Sequence, residues 1–215
     1  WPGVESATRG LVEAGFRVSI DSFDRAEVEA AVAGGAELVL SCDPSNLDWL
    51  SPLAADSDIA VVAIPEMTAS LDSLDPVVQR LESDGVDFRI DPVLEPIGLG
   101  FAASLERFFE ARRRWPEAEM MMGTGNVTEL TEVDSAGVNV LLAAICQELR
   151  VGSVLTTEVI NWCRSSVAEL DLARRLLHHS FEEGVLPKHI DSGLVMLRDA
   201  SLRGEGSESL ERLAG

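Results

Sequence analysis

Five places along the chain gather side chains able to hold a ligand: Asp21; Ser41 with Asp43 and Asn46; Asp91; the run Gly123-Thr124-Gly125-Asn126; and Thr156-Thr157-Glu158. They offer carboxylates, carboxamides and hydroxyls. Such groups suit hydrogen bonding to a nitrogen-rich heterocycle or binding of a divalent cation. No lysine or histidine stands at these places, and Ser22 lacks a histidine partner at motif spacing, which disfavours a Ser-His-Asp hydrolase. Any single aspartate after a strand is more often a helix cap or turn residue. Recurrence at the same point of successive units is what argues for a shared site.

The elements that must position these groups read as a regular alternation. Apolar or β-rich runs at Arg17–Asp21, Leu38–Leu40, Ile59–Ile64, Asp87–Ile90, Met120–Met122 and Ser153–Thr156 are expected strands. Helical patterns fall at Val4–Glu13, Arg25–Ala33, Asn46–Ala55, Asp75–Ser83, Ala102–Arg114, Ala136–Leu149 and from Val167 to Leu177 or Glu183. Near-continuous apolar strands alternating with helices imply a parallel sheet covered by helices. Six units fit an open doubly wound sheet or a (β/α)8 barrel with two units missing. The chain opens on Trp1 and on a helix with no strand before it, which suits a barrel whose first two strands are absent. On that reading residues 1–200 form one barrel and residues 201–215 a flexible tail, and all five polar groups converge on the carboxyl rim.

Composition narrows the partners. The 215 residues carry a formal net charge of −20, with one lysine, Lys188, among 17 basic side chains, so a polyphosphate partner such as nucleic acid is not expected. No apolar run is long enough to span a bilayer and no signal peptide is visible, which implies a cytoplasmic protein without a membrane partner. Cys42, Cys146 and Cys163 are widely spaced and are expected as reduced, partly buried thiols; no structural zinc site is expected. His178 and His179 read as surface or packing residues of a helix, Arg112–Arg114 as a solvated helix end, and Trp162 as the one tryptophan near enough to a strand end to stack on a ligand. Gly193–Leu197 reads as a short apolar segment able to form a strand.

At several of these positions the sequence resembles the pterin-binding barrels, the dihydropteroate synthases and pterin-dependent methyltransferases. Ser19-Ile20-Asp21-Ser22 resembles their third-strand motif, and Leu40–Asn46 occupies the place of the fourth-strand segment that carries an Asn. Asp91-Pro92 followed by Ile97-Gly98-Leu99-Gly100-Phe101 resembles an Asp-Pro-Gly-Ile-Gly-Phe sixth-strand motif with an insertion. Gly123-Thr124-Gly125-Asn126-Val127-Thr128 is similar to the methyltransferases' Gly-x-Ser-Asn-Val-Ser. The resemblance covers roughly residues 10–160 and is nearest to the dihydropteroate synthase-related group associated with tetrahydromethanopterin biosynthesis.

The resemblance implies a transferase that condenses hydroxymethyl-dihydropterin diphosphate with an arylamine, in folate or methanopterin biosynthesis. Asp91 would accept the donors of the pterin's pyrimidine edge, and Asp21 would lie beneath the ring as the catalytic carboxylate. Asn46 and Asn126 would add pterin contacts, with Ser41 as a weaker substitute for Asn46. Magnesium could enter with the diphosphate, and a homodimer is compatible. Arg164 and Ser165, at the start of the last helix, would serve a phosphate.

This sequence departs from the synthases at three places. Gly-Thr-Gly-Asn replaces their seventh-strand Ser-Arg-Lys, Thr156-Thr157-Glu158 replaces the eighth-strand Arg-x-His, and the first-strand Asn-x-Thr-Pro-Asp-Ser-Phe loop is not in the chain. The 215 residues alone are therefore expected to bind pterin weakly and to turn over poorly. Three other readings stay open: a corrinoid-linked methyltetrahydropterin methyltransferase, a non-catalytic pterin-binding module, and a magnesium-dependent lyase using Asp21, Asp91 and Glu158.

Overall fold

A computed structural model describes residues 1–66 and 70–195. Its strands are β1 (Ser19–Ile20), β2 (Leu38–Cys42), β3 (Ala60–Ala63), β4 (Phe88–Ile90), β5 (Met121–Gly123) and β6 (Ser153–Leu155). The helices are α1 (Val4–Glu13), α2 (Arg25–Ala33), α3 (Leu47–Ser57), α4 (Leu74–Asp84), α5 (Phe101–Arg114), α6 (Gly125–Thr128), α7 (Ser135–Glu148) and α8 (Ser166–Glu183). Strands β1 to β4 pair in sequence order, all parallel, and β5 pairs parallel with β6. A parallel bridge between Ile90 and Met120, with the Ile90 N–H donating to Glu119 O at 2.8 Å, joins the two sets.

Spatial order thus equals chain order across all six strands. A doubly wound sheet reverses direction at a switch point, whereas a barrel never does, so the topology is that of a barrel. Among the described residues the barrel is not closed, because the outer edges of β1 and β6 have no strand beside them.

The strands form where the apolar runs predict, since a parallel strand covered on both faces leaves no polar position to spare. Val39, Val61, Ala63, Ile90 and Met122 are wholly buried, and Leu50, Leu74, Leu81 and Phe108 pack onto them from α3, α4 and α5. Strand β1 is shorter than Arg17–Asp21, because only Ser19 and Ile20 find partners on β2. The segment Gly193–Val195 is not a strand. Met196, Leu197 and the tail 201–215 lie outside the described residues.

Two close approaches hold the helical layer in place. Gly34, just past the end of α2, lies so near α1 that a Cβ there would meet Glu5 O at 2.7 Å and Thr8 Cβ at 2.8 Å. Its φ of −79° suits any residue, so the glycine is required by proximity and not by backbone conformation. Gly34→Ala is expected to push α1 off the sheet and cost about 1–3 kcal/mol, read as a lower calorimetric melting temperature.

Arg112 is the second device, and more than a solvated helix end. It donates to the carbonyls of Leu149 (2.8 Å), Trp115 (3.3 Å), Pro116 (2.8 Å), Ala118 (2.9 Å) and Arg150 (3.1 Å). One planar fork therefore ties the end of α5 and the turn before β5 to the turn that follows α7. Its neighbour Arg114 pairs with Asp72 and Asp75 in the preceding unit.

Candidate functional site

The five predicted groups sit where parallel strands end; four of them fall into two hydrogen-bonded sets, and the fifth, Thr156-Thr157-Glu158, stands apart. The first set belongs to β1 and β2. Asp21, exposed just beyond β1, accepts the hydroxyl of the buried Ser41. Asn46 is 2% exposed; its Nδ2 donates to Ser41 O at 2.7 Å and its Oδ1 accepts the Asp43 N–H at 3.0 Å. The carboxamide thus closes the 41–46 loop on itself and holds Ser41 against Asp21. The pairing register of β2 with β3 shifts between Val39 and Cys42, immediately before this exit. Such irregularities re-aim side chains beside sites.

The second set belongs to β4 and β5. Asp91 follows the last residue of β4 and is 9% exposed. Its Oδ1 accepts the Val93 N–H at 2.8 Å. Burial pushes its carboxyl up to about 7, opposed by the Val93 and Gly123 N–H groups and the Arg107 guanidinium. A carboxylate shifted by desolvation at a strand exit, with a cation acting on it, is a candidate functional position. Gly123 lies beside it, where a Cβ would stand 3.9 Å from Asp91 Oδ2, an ordinary van der Waals contact.

Asn126, exposed on α6, donates through Nδ2 to Leu94 O at 2.7 Å, so it couples the loop after β5 to the loop after β4. The buried Thr124 anchors the same loop to β6, with its N–H 2.8 Å and its hydroxyl 3.2 Å from Leu155 O. Trp162 donates to Thr128 O at 3.0 Å, which ties the last loop to α6.

At the exit of β6 the polar groups turn inward. Glu169 of α8 is 3% exposed and its carboxylate accepts from Ser135 Oγ (2.7 Å), Asn139 Nδ2 (2.8 Å) and Ser165 Oγ (2.7 Å). Ser165 therefore faces a carboxylate of its own helix, while Arg164 is exposed beside it. Glu158 accepts the Val167 N–H at 3.0 Å. The described residues contain no cluster of three or more His, Cys, Asp or Glu side chains able to hold a metal ion, so Asp21, Asp91 and Glu158 do not converge as donors.

Neither the cysteines nor the open cavity adds chemistry here. All three cysteines are free and buried, and burial pushes Cys42 and Cys146 up to about 12, far from a nucleophilic thiolate. An open cavity of about 540 Å³, lined among others by Arg17, Ser19, Glu37, Asp87 and Arg89, lies at the amino-terminal ends of the strands. That is the end of such barrels that serves stability and not catalysis.

Sequence reasoning missed Arg107 and Glu169, and it placed Thr124 in the ligand-facing run without seeing that it anchors that loop to β6. Only Glu169 had a local signal, its spacing of four residues from Ser165.

Six parallel strands in barrel order, with a buried carboxylate at one exit, define an open barrel of the (β/α)8 kind among the described residues. Its solved counterparts are dihydropteroate synthases. The Vibrio fischeri enzyme aligns with a TM-score of 0.60 at 16% identity, covering 82% of this chain and 71% of that one. The Thermus thermophilus enzyme in complex with 4-aminobenzoate aligns at 0.55 and 19%, covering 79% and 80%. The Yersinia pestis enzyme with a pterine-sulfa conjugate aligns at 0.57 and 16%, covering 84% and 75%. At these identities the likeness concerns the fold.

No protein-family model matches the chain. An uncharacterized protein of Methanocaldococcus jannaschii is 34% identical over 204 residues, which are 87% of this chain and 38% of that protein. The chain thus spans well under half the length of this relative. None of the helices among the described residues is long and apolar enough to cross a membrane.

Proposed function

We propose that the chain holds the pterin in a transferase of the dihydropteroate synthase type, acting in folate or methanopterin biosynthesis. The observation that carries the reading is Asp91, a buried carboxylate at a strand exit with Gly123 of the neighbouring strand beside it. A pterin's pyrimidine edge offers an amino group and a ring N–H side by side, and one carboxylate can accept both in parallel. Asp21, held by Ser41, lies on the rim where it would favour positive charge developing at the pterin's exocyclic carbon. There the carbon–oxygen bond to diphosphate breaks, a carbon–nitrogen bond to the arylamine forms, and the amine gives up a proton.

Asn46 and Asn126 contribute by holding the two loops that frame the ring, each with bonding capacity left for a ligand. Arg164 and Ser165 are the groups nearest in kind to a diphosphate site, and magnesium would arrive with that substrate. A cytoplasmic location and a homodimer belong to the same proposal.

One observation favours a second reading. Glu169 already occupies the hydroxyl of Ser165, so the last exit is better fitted to a ligand without diphosphate there, as in a methyltransferase with a corrinoid partner or a non-catalytic pterin module. Calorimetric titration with 6-hydroxymethylpterin, with and without EDTA, tests the common core of both. Binding that survives EDTA and is lost in Asp91→Ala supports the pterin site, and absence of binding sinks it. Diphosphate release on adding an arylamine to the whole protein then separates synthase from the alternatives.

A further inference from the structure

Arg107 lies on α5, six residues past the motif that ends at Phe101, yet its guanidinium reaches back over the exit of β4. Nε donates to Pro92 O at 3.1 Å, and Nη2 donates to Val93 O at 2.8 Å and to Glu95 Oε1 at 3.3 Å. The side chain is 24% exposed, so it is not a freely solvated charge. Val93, in the middle of this clamp, has φ +64°. A β-branched residue in the left-handed region costs about 1–2 kcal/mol, and such strain persists only where its surroundings impose it. The strained turn is also what aims the Val93 N–H at Asp91 Oδ1.

We propose that Arg107 is a positioning residue, which locks the Pro92–Glu95 turn in its strained form and so fixes the Asp91 carboxylate toward its ligand. The inference rests on the reading of Asp91 as the ligand-holding group. An electrostatic role accompanies the geometric one. The groups acting on Asp91 are Arg107 from α5 and the N–H groups of Val93 and Gly123, and of these only Arg107 carries a positive charge; the carboxylate in turn helps to raise the Cys146 thiol of α7. Glu95 partly offsets that charge through its contact with Arg107. A lysine at 107 would keep the charge but lose the planar fork that reaches two carbonyls at once.

The test follows Asp91 itself by carboxyl carbon NMR on aspartate-labelled protein, the signal being assigned by its loss in Asp91→Asn. In Arg107→Gln the titration midpoint should rise by about one unit, and affinity for 6-hydroxymethylpterin at pH 7 should fall about tenfold. Arg107→Lys should keep most of the midpoint while still losing affinity, because the charge remains and the turn does not. An unchanged midpoint and unchanged affinity in both variants would overturn the proposal, whatever happens to their melting temperatures. If Arg107→Gln fails to fold, the lysine variant decides alone: full affinity overturns the proposal. Should the wild-type chain bind no pterin while the midpoint still moves, the functional reading fails and the placement of Arg107 stands.

Discussion

Replacing Asp91 with asparagine is expected to stabilise the chain above pH 7 and, in the same protein, to weaken pterin binding about 100-fold. The stability half follows from burial. In the folded chain burial pushes the carboxyl up to about 7, from the 3.8 of a freely solvated aspartate. A raised folded value means that the protonated form is the one folding tolerates. Below about pH 4 both states hold the proton and Asp91 costs nothing. Between about pH 4 and pH 7 the unfolded chain ionises freely while the folded chain resists, so stability falls as pH rises. Above pH 7 the full penalty is present, about 4 kcal/mol for a displacement of some three units. Asparagine carries no charge to desolvate but offers one acceptor fewer to the surrounding N–H groups, so a net gain of about 2 kcal/mol is expected. Calorimetric melting from pH 4 to pH 8 should show the wild-type decline and a flat profile for the variant.

The binding half has the opposite sign for the same physical reason. Only the ionised carboxylate can accept two parallel donors, and asparagine would point its own amide donor at one of them. Wild-type affinity should accordingly fall about tenfold for each pH unit below 7, and the variant should lose that dependence together with its affinity. A variant that binds pterin like the wild type would remove Asp91 from the site.

Glu169→Ala is expected to be strongly destabilising, costing about 3–4 kcal/mol and lowering the melting temperature by about 10 °C. The carboxylate gathers Ser135, Asn139 and Ser165, and Ser135 and Asn139 are 1% and 0% exposed. Removing it leaves these donors buried with nothing to receive them, and each orphan costs about 1–3 kcal/mol before relaxation. It also cuts the polar tie between the start of α7 and the start of α8. Glu169→Gln keeps one acceptor and should lose less than half as much. Differential scanning calorimetry on both variants decides the matter, and equal small losses would show that water replaces the carboxylate.

The barrel was legible in the sequence because its parallel strands are unbroken apolar runs and its exits are abrupt. Asp91 after Ile90, and Gly123 after three methionines, mark their positions without help from tertiary structure. Helix ends fell within a residue or two, as expected where caps such as Asp24 are local; its side chain accepts the Glu27 N–H at 3.1 Å. The four-residue helix Gly125–Thr128 was not legible, since glycine, asparagine and threonine are poor helix formers. Contacts to Leu94, Leu155 and Trp162 impose it from outside. Arg107 and Arg112 were silent for a related reason. Their partners are mainly backbone carbonyls, which every residue carries, so no pattern of side chains could announce them.

Among the described residues the sheet is unclosed, and its edges have a practical consequence for anyone who handles the chain. A strand edge without a neighbour is a row of free N–H and C=O groups, ready to template another strand. Edge β1 is only two residues long and offers little. Edge β6 offers more, with Val154 40% and Leu155 42% exposed. Nothing basic or proline-rich blunts it between Ser153 and Leu155. Colloidal behaviour should therefore be set at β6, and the −20 net charge is the main brake on it. Raising the salt screens that brake within about 10 Å at 0.1 M, so the chain is best kept dilute and at low ionic strength.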